Sequence, residues 1–343
     1  MKNGISAVLI VKNEEKVLDR CLRSLAGCDE IAILDTGSTD RTLEIARAHT
    51  SVVAVSPPIE PFHFAEARNR AERLATQDWV LTIDADEILE EGAMSALRRT
   101  VRTRPQSLGF RVLFKLSDQD GQNESSLMKL KVYRRGFWTW AFRVHEQLFP
   151  LGEGQIHDIA DASMRHLPDP DKEHRRRQNL ELLKLSVEED PGYLRNWRQL
   201  GMEEILLGRH EEAIPHLRRY LEGKGIDPLD RSETRVHIAR AIAKRPGGLE
   251  EALSEFDQAT LEAPDRREPH VYKALALVNV ARLDDAIVEV RRCLAIPVEK
   301  KPNFHLNVES IWNGSFPGEI LEFCEKEIHA AKMRFYAGER PTG

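Results

Sequence analysis

At 343 residues, 41% of them apolar and 31% charged, the chain exceeds the usual length of one compact domain and has enough apolar mass for real cores, so two folded domains are expected. Fifty Lys and Arg against 56 Asp and Glu leave a formal charge of −6, which argues against nucleic-acid binding driven by phosphate neutralisation. The four cysteines, Cys21, Cys28, Cys293 and Cys324, form no CxxC pair and read as reduced thiols rather than a zinc cage.

The first apolar run ends at charge after seven residues, too short for a signal peptide's core or a membrane span, so a cytoplasmic protein is expected. Short β-branched runs at Ile5–Val11, Glu30–Asp35, Val52–Ser56 and Trp79–Ile83 predict strands. Helical spacing over Glu15–Ala26 (Val17, Leu18, Cys21, Leu22, Leu25) and over Thr39–Ala48 predicts helices between them, hence a parallel sheet covered by helices. From Leu108 to Phe149 the strands become less regular, LGFRVLFKL and LMKLKVYR, joined by a polar turn or flap from Ser117 to Ser126. After His166 the sequence turns proline-containing and charged, and everything beyond reads as helix. The domains are expected at 1–170 and 171–343, with the boundary between residues 168 and 180. Lys172, Arg175, Arg176 and Arg177 read as a solvated helical face.

The second half repeats with a period of roughly 34 residues. One copy runs from Trp197, Leu200 and Gly201 through Gly208 and Ala213 to Pro228; a second aligns at Ala252 and ends at Pro264; a third aligns at Ala286 and ends at Pro297. Small residues at fixed places let two helices approach, and the proline is read as stopping the second helix. These segments resemble degenerate tetratricopeptide repeats, with Gly318–Phe335 as a capping helix. Such repeats present a concave face to a peptide or protein, or else only brace a neighbouring domain or mediate homodimerisation.

Ligands of open α/β sheets bind at the carboxyl ends of the strands. There this sequence places Lys12, Asn13 and Glu14 after the first strand, Asp35 to Asp40 after the second, and Asp84-Ala85-Asp86-Glu87 after the fourth. Asp84 and Asp86, two apart at a strand end, face one side and suit a hard divalent cation that takes its other ligands from phosphate and water. The alternative is an acidic helix N-terminus. For Asp35, a turn-forming role before a helix is compatible with a ligand role.

In order and spacing, SAVLIVKNEE, DEIAILDTGSTDRTLEIA, EARNRA and DWVLTIDADE, spanning residues 5 to 90, resemble the family 2 glycosyltransferases of GT-A fold. The resemblance implies a nucleotide-sugar-binding α/β domain of Rossmann-like type, followed here by an all-α helical-repeat domain. It implies that Asp35 binds uracil or ribose, that Glu14 lines the base pocket, and that Arg68 and Asn69 contact the nucleotide. Asp84 meets ribose or metal, and Asp86 is the principal ligand of a Mg²⁺ or Mn²⁺ ion. The segment VYRRGFWTWAFRVHEQLF resembles the part of the family that carries an HE pair beside the acceptor, which makes Glu146 the catalytic base and gives His145 the task of positioning it or meeting the diphosphate. HEQLF lacks the second histidine of a zinc-protease motif. His166 is similar to the late histidine that completes the metal site in many GT-A enzymes, with a structural histidine as the alternative. Trp138 and Trp140 form either an aromatic wall for the sugar or acceptor or a packing contact of a loop on the sheet.

No GxxxxGK[ST], GxGxxG or GxSxG follows a strand. A nucleotidyltransferase would carry a glycine-rich basic loop where KNEE stands. The expectation is an inverting, metal-dependent transfer of a hexose or N-acetylhexosamine from a UDP-sugar, the acceptor being a peptide or protein side chain. The alternatives are lipopolysaccharide or surface-polysaccharide assembly and, from another class, a repeat protein that binds partners beside an inactive GT-A scaffold.

Overall fold

The computed structural model describes residues 3–117, 124–167, 172–297 and 315–336. The chain forms two compact units, Met1–Leu182 and Leu183–Gly343. The helix spanning residues 172–189 crosses that division, and the 168–171 part of the expected boundary lies outside the described residues.

The first unit is built on an eight-stranded sheet. Its chain order is β1 (Ile5–Val11), α1 (Leu18–Ser24), β2 (Glu30–Asp35), α2 (Thr42–His49), β3 (Val52–Val55), α3 (Phe64–Glu72), β4 (Trp79–Thr82), β5 (Glu87–Leu89), α4 (Ala93–Thr103), β6 (Gly109–Ser117), β7 (Glu124–Arg134), β8 (Trp138–Ala141), β9 (Gln147–Pro150), β10 (Ile156–His166) and α5 (Lys172–Glu189). In the sheet they stand β3-β2-β1-β4-β7-β6-β10-β5. Strands β1 to β4 pair in parallel, as their near-continuous apolar runs demand when both faces are covered. β7 joins β4 antiparallel and makes the sheet mixed. Ile5, Leu9, Leu81 and Phe110 lie in one fully buried layer with α1 and α4, and Trp79 packs on Phe110 with ring centres 5.1 Å apart. β8 and β9 form a separate hairpin whose Trp138, Trp140 and Leu148 pack on the opposite face with Val8, Val80 and Tyr133.

Both early helices start later than their periodicity predicts, for a local reason. Asn13 takes a left-handed backbone (φ 56°), and Glu14 O accepts from the amides of Val17 and Leu18, so the chain turns before α1 begins. Asp40 Oδ1 accepts from Thr42 N at 2.9 Å, which sets the start of α2 at Thr42 rather than Thr39. The polar turn or flap expected from Ser117 to Ser126 falls between β6 and β7, which pair as far as Ser117 and Glu124, and residues 118–123 lie outside the described residues.

The second unit is helical. α6 (Leu194–Leu206) packs on α7 (His210–Leu221), α8 (Pro228–Ile242) on α9 (Leu249–Glu262), and α10 (Glu268–Val278) on α11 (Leu283–Ala295); α12 (Ser315–Tyr336) packs on α11. Ala213, Ala252 and Ala286 are each the fourth residue of the second helix of a pair, and each is fully buried. Pro264 and Pro297 follow the ends of α9 and α11, whereas Pro228 opens α8 at its first turn, capped by Asp227 Oδ1 on Leu229 N at 2.8 Å. Pro228 therefore begins a helix rather than stopping one, since a missing N–H costs nothing at N1. Among the described residues no helix is long and apolar enough to cross a membrane.

Candidate active site

The loops after β1 and β2 are stitched to each other before they meet anything else. Asn13 Oδ1 accepts from Thr39 N at 2.8 Å, Asn13 N donates to Ser38 Oγ at 3.0 Å, and Glu14 N donates to Thr42 Oγ1 at 2.7 Å. The KNEE and DTGSTD segments thus form one double loop, with Lys12, Asn13, Glu14 and Thr36 facing a cavity of about 650 Å³. Asp35 does not share in it. Its carboxylate, 1% exposed, accepts from Gly37 N at 3.0 Å and Ser38 N at 3.1 Å, so it shapes the turn after β2. That is the turn-forming role expected of it: both oxygens serve amides of a loop in which Gly37 has φ 107°.

The turn after β4 is fastened from below. Asp84 N donates to Glu87 Oε2 at 3.0 Å while Glu87 N donates to Asp84 O at 3.0 Å. Buried Glu87 also takes both oxygens to Lys131 Nζ, at 2.7 and 2.5 Å. Glu87 is therefore the structural anchor of the DADE turn, a charge kept inside by a bidentate partner. The second end of the turn is held by β10: Leu167 N donates to Asp86 O at 2.7 Å, and Arg20 Nη2 donates to Leu167 O at 2.7 Å. This pinning brings His166 Nε2 to 3.3 Å from Asp86 Oδ2, with both side chains lining the cavity.

Arg68, on α3, joins the two halves of the expected chemistry. Its Nη2 donates to Asp84 Oδ1 at 2.8 Å and its Nε to Glu146 Oε1 at 2.5 Å, while its guanidinium lies 4.9 Å from the Trp140 ring centre. Burial works against the charge on Asp84, but Arg68, with Lys131 and Lys129 behind it, holds that carboxyl well below the usual range. Burial likewise opposes the charge of Arg68, and Asp84 and Glu146 more than offset it. One oxygen of Asp84 is thus committed to Arg68, which departs from the expectation that Asp84 and Asp86 present their carboxylates together to one cation.

The other expected residues fall as follows. Arg68 lines the cavity, but its hydrogen bonds go to Asp84 and Glu146. Asn69 does not line it: its Nδ2 donates to Trp140 O at 2.9 Å and its Oδ1 accepts from Trp140 N at 3.0 Å, a two-point clamp on β8. Trp138, buried with Nε1 on Leu108 O at 2.9 Å, and Trp140, with Nε1 on Tyr133 Oη at 3.3 Å, pack on the sheet and stand outside the cavity lining. Glu146 and His145 sit in the β8–β9 loop, Glu146 beside Arg68 and His145 exposed on a left-handed backbone (φ 51°), and neither lines the cavity.

Other residues complete the walls. Phe62 and Phe64, in a T-shaped pair with centres 4.9 Å apart, and Ile10 and Val11 line the side near the double loop; Phe114, Leu116 and Lys129 line the side of β6 and β7. The lysines had a signal: Lys129 and Lys131 alternate with apolar residues in LMKLKVYR, so both point to one face of a strand. The phenylalanines had none, because exposure to a cavity is not written in local spacing. Asp86 and His166 are two adjacent donors open to the cavity, one oxygen and one nitrogen, and fit a divalent cation that draws further ligands from phosphate and water. Among the described residues no group of three His, Cys, Asp or Glu side chains gathers in a way that could hold a metal alone.

A parallel α/β half-sheet with an acidic turn at the end of β4, continued by an antiparallel half and followed by paired helical repeats, is the architecture of a GT-A domain with a tetratricopeptide-like domain. Residues 6–154 match the family model for glycosyl transferase family 2. A TPR repeat-containing protein of Synechococcus elongatus is 30% identical over 295 residues, covering 81% of this chain and 70% of that protein. The lipopolysaccharide core biosynthesis glycosyltransferase LpsC of Rhizobium meliloti is 30% identical over 176 residues, covering 48% of this chain but 63% of its own length, just under two thirds. Among solved structures, S. aureus TarS matches with 15% identity, covering 79% of this chain and 55% of TarS, at a TM-score of 0.39. The chain belongs to the family 2 glycosyltransferases, with tetratricopeptide-like repeats after the transferase domain.

Proposed function

We propose that this chain transfers a hexose or N-acetylhexosamine from a UDP-sugar, with inversion, to a peptide or protein side chain. The observation that carries the donor half is the cavity itself: it opens at the carboxyl ends of the strands, with the KNEE double loop on one side and the Asp86–His166 pair at its middle. In this reading the nucleotide lies along Lys12, Glu14, Thr36, Phe62 and Phe64. Asp86 and His166 hold a Mg²⁺ or Mn²⁺ ion, whose charge would stabilise the departing diphosphate. Arg68, in the cavity wall, keeps Asp84 and Glu146 oriented. Glu146 is the base, taking the proton of the acceptor once its oxygen is released from Arg68, and His145 flanks it on the same loop.

The repeats support the protein acceptor, since paired helices of this kind form extended surfaces. The likeness to LpsC favours a second reading in which the acceptor is a growing lipopolysaccharide core saccharide. A partner-binding protein with an inactive scaffold is the least supported, because the donor cavity retains its acidic turn and His166.

Incubation with a panel of UDP-sugars, Mn²⁺ and either peptide or core-saccharide acceptors, with UDP release as the readout, tests the class and separates the acceptors. Absence of UDP release under every combination overturns the reading. Asp86→Ala is expected to abolish release while leaving the urea midpoint of unfolding close to wild type, within about 1 kcal/mol.

A further inference from the structure

The charges around the acidic turn are matched with one exception on the sheet. Lys131 is held by Glu87, and Arg68 by Asp84 and Glu146. Lys129 stands two residues before Lys131 on β7, both ammonium groups lie over the Phe114 ring, and Lys129 lines the cavity with its ammonium 4.4 Å from the centre of that ring. Among the described residues no carboxylate lies within ion-pair distance of that ammonium. Lys131, followed by burial, holds its pKa below the ordinary lysine value, as expected of a cation set beside another cation. Lys12 also lines the cavity and, among the described residues, has no ion-pair partner; it is exposed, as Lys129 is, but it stands on the loop after β1, at the opposite end.

Position along the sheet says which part of a substrate Lys129 meets. β4 lies between β1 and β7, so the Asp84–Asp86 turn divides the cavity. On the β1 side stand the double loop and the residues read above as the nucleotide site. On the other side stand Phe114, Leu116 and Lys129, with Gln178 and Asn179 of α5, an apolar and amide wall carrying a single cation. Sugar and acceptor hydroxyls are served by amides; a lone ammonium on an aromatic face calls for an anion.

We propose that Lys129 is a specificity-determining residue that selects substrates carrying a carboxylate or phosphate at the β6–β7 end of the cavity, on the transferred sugar or on the acceptor. This rests on the donor reading given above. An anion there forms a charge-assisted hydrogen bond with Lys129 Nζ and relieves its repulsion from Lys131.

The test uses the purified full chain with Mn²⁺, titrated calorimetrically with UDP, UDP-glucose and UDP-glucuronate, and, in the presence of UDP, with glucose and glucose 6-phosphate. The wild type is expected to prefer the charged member of one pair by about tenfold or more, the size of one hydrogen bond to a charged group. A preference within the UDP-sugar pair assigns the anion to the transferred sugar, and one within the glucose pair to the acceptor. Lys129→Gln should lose that preference while binding UDP as the wild type does, and Lys129→Arg should keep it; thermal unfolding of each variant confirms that it is folded. Equal binding of charged and neutral probes by the wild type, a preference that survives Lys129→Gln, or a loss of UDP affinity itself in that variant overturns the proposal alone. Failure of the wild type to bind UDP at all overturns the donor reading and the proposal with it.

Discussion

Arg68 shows how much of this site depends on one side chain. It is nearly buried, and it pairs with the carboxylates of both Asp84 and Glu146. Removing one partner of a buried charge network costs more than the network contributes, because the remaining charges lose both solvent and counter-ion. Arg68→Met keeps the length of the chain and is expected to destabilise the protein by about 3 kcal/mol, read as a lower urea midpoint at neutral pH. Glu146→Gln keeps a hydrogen-bond acceptor for Arg68 but removes the proton-accepting carboxylate. It is expected to lower kcat by about 10²-fold or more with little change in the KM for the UDP-sugar, measured as UDP release at saturating acceptor. An unchanged kcat would remove Glu146 from the role of base.

At the level of elements, the site exists because strand ends are fastened to one another. Glu90, just past β5, shows the device outside the cavity: it accepts from Ser163 Oγ at 2.6 Å and pairs with Lys115 at 2.7 Å and Arg165 at 2.8 Å, tying β5 to β6 and β10. β10 is the strand that delivers His166 to Asp86. Burial opposes the charge on Glu90, but the hydrogen bonds from Lys115, Ser163 and Arg165 prevail and hold its pKa at about 2, against an ordinary 4.5. The folded value is depressed, so this contribution is fully present above pH 4.5 and is lost as the pH falls from 4.5 towards 2. Glu90→Gln should therefore lower stability by about 2 kcal/mol at pH 7 and flatten the acid limb of the stability profile in that window, as followed by urea unfolding at a series of pH values.

Across the whole molecule, two compact units follow different rules of assembly, one through sheet register and the other through helix pairs. Gly201 marks a close approach between the paired helices α6 and α7 in the second: a Cβ there would meet Leu217 Cγ at 2.6 Å and the Ala213 carbonyl oxygen at 3.1 Å. The neighbour on one side is backbone, so the clash cannot be relieved by rotating a side chain alone. Gly201→Ala is expected to destabilise the repeats by about 1–3 kcal/mol despite its better helix propensity, a loss that calorimetry reads as a lower transition temperature. UDP affinity, which this reading assigns to the first unit, should be unchanged.

Much of this was written in the chain. Apolar runs and helical spacing placed β1 to β4 within a residue, because a strand covered on both faces and a helix with one buried stripe each impose a period on their own residues. Repeated small residues marked Ala213, Ala252 and Ala286 for the same reason. What local spacing does not carry is the destination of a polar side chain. Asp35 and Asn69 hold loop and strand backbone, Arg68 is shared between two carboxylates, Glu87 lies buried on Lys131, and Asp86 meets a histidine eighty residues away. Motif order brought these residues to one edge of the sheet. Whether each faces the cavity or its own scaffold was decided by strand register and by which buried donors were left to satisfy, and both are properties of the assembled fold.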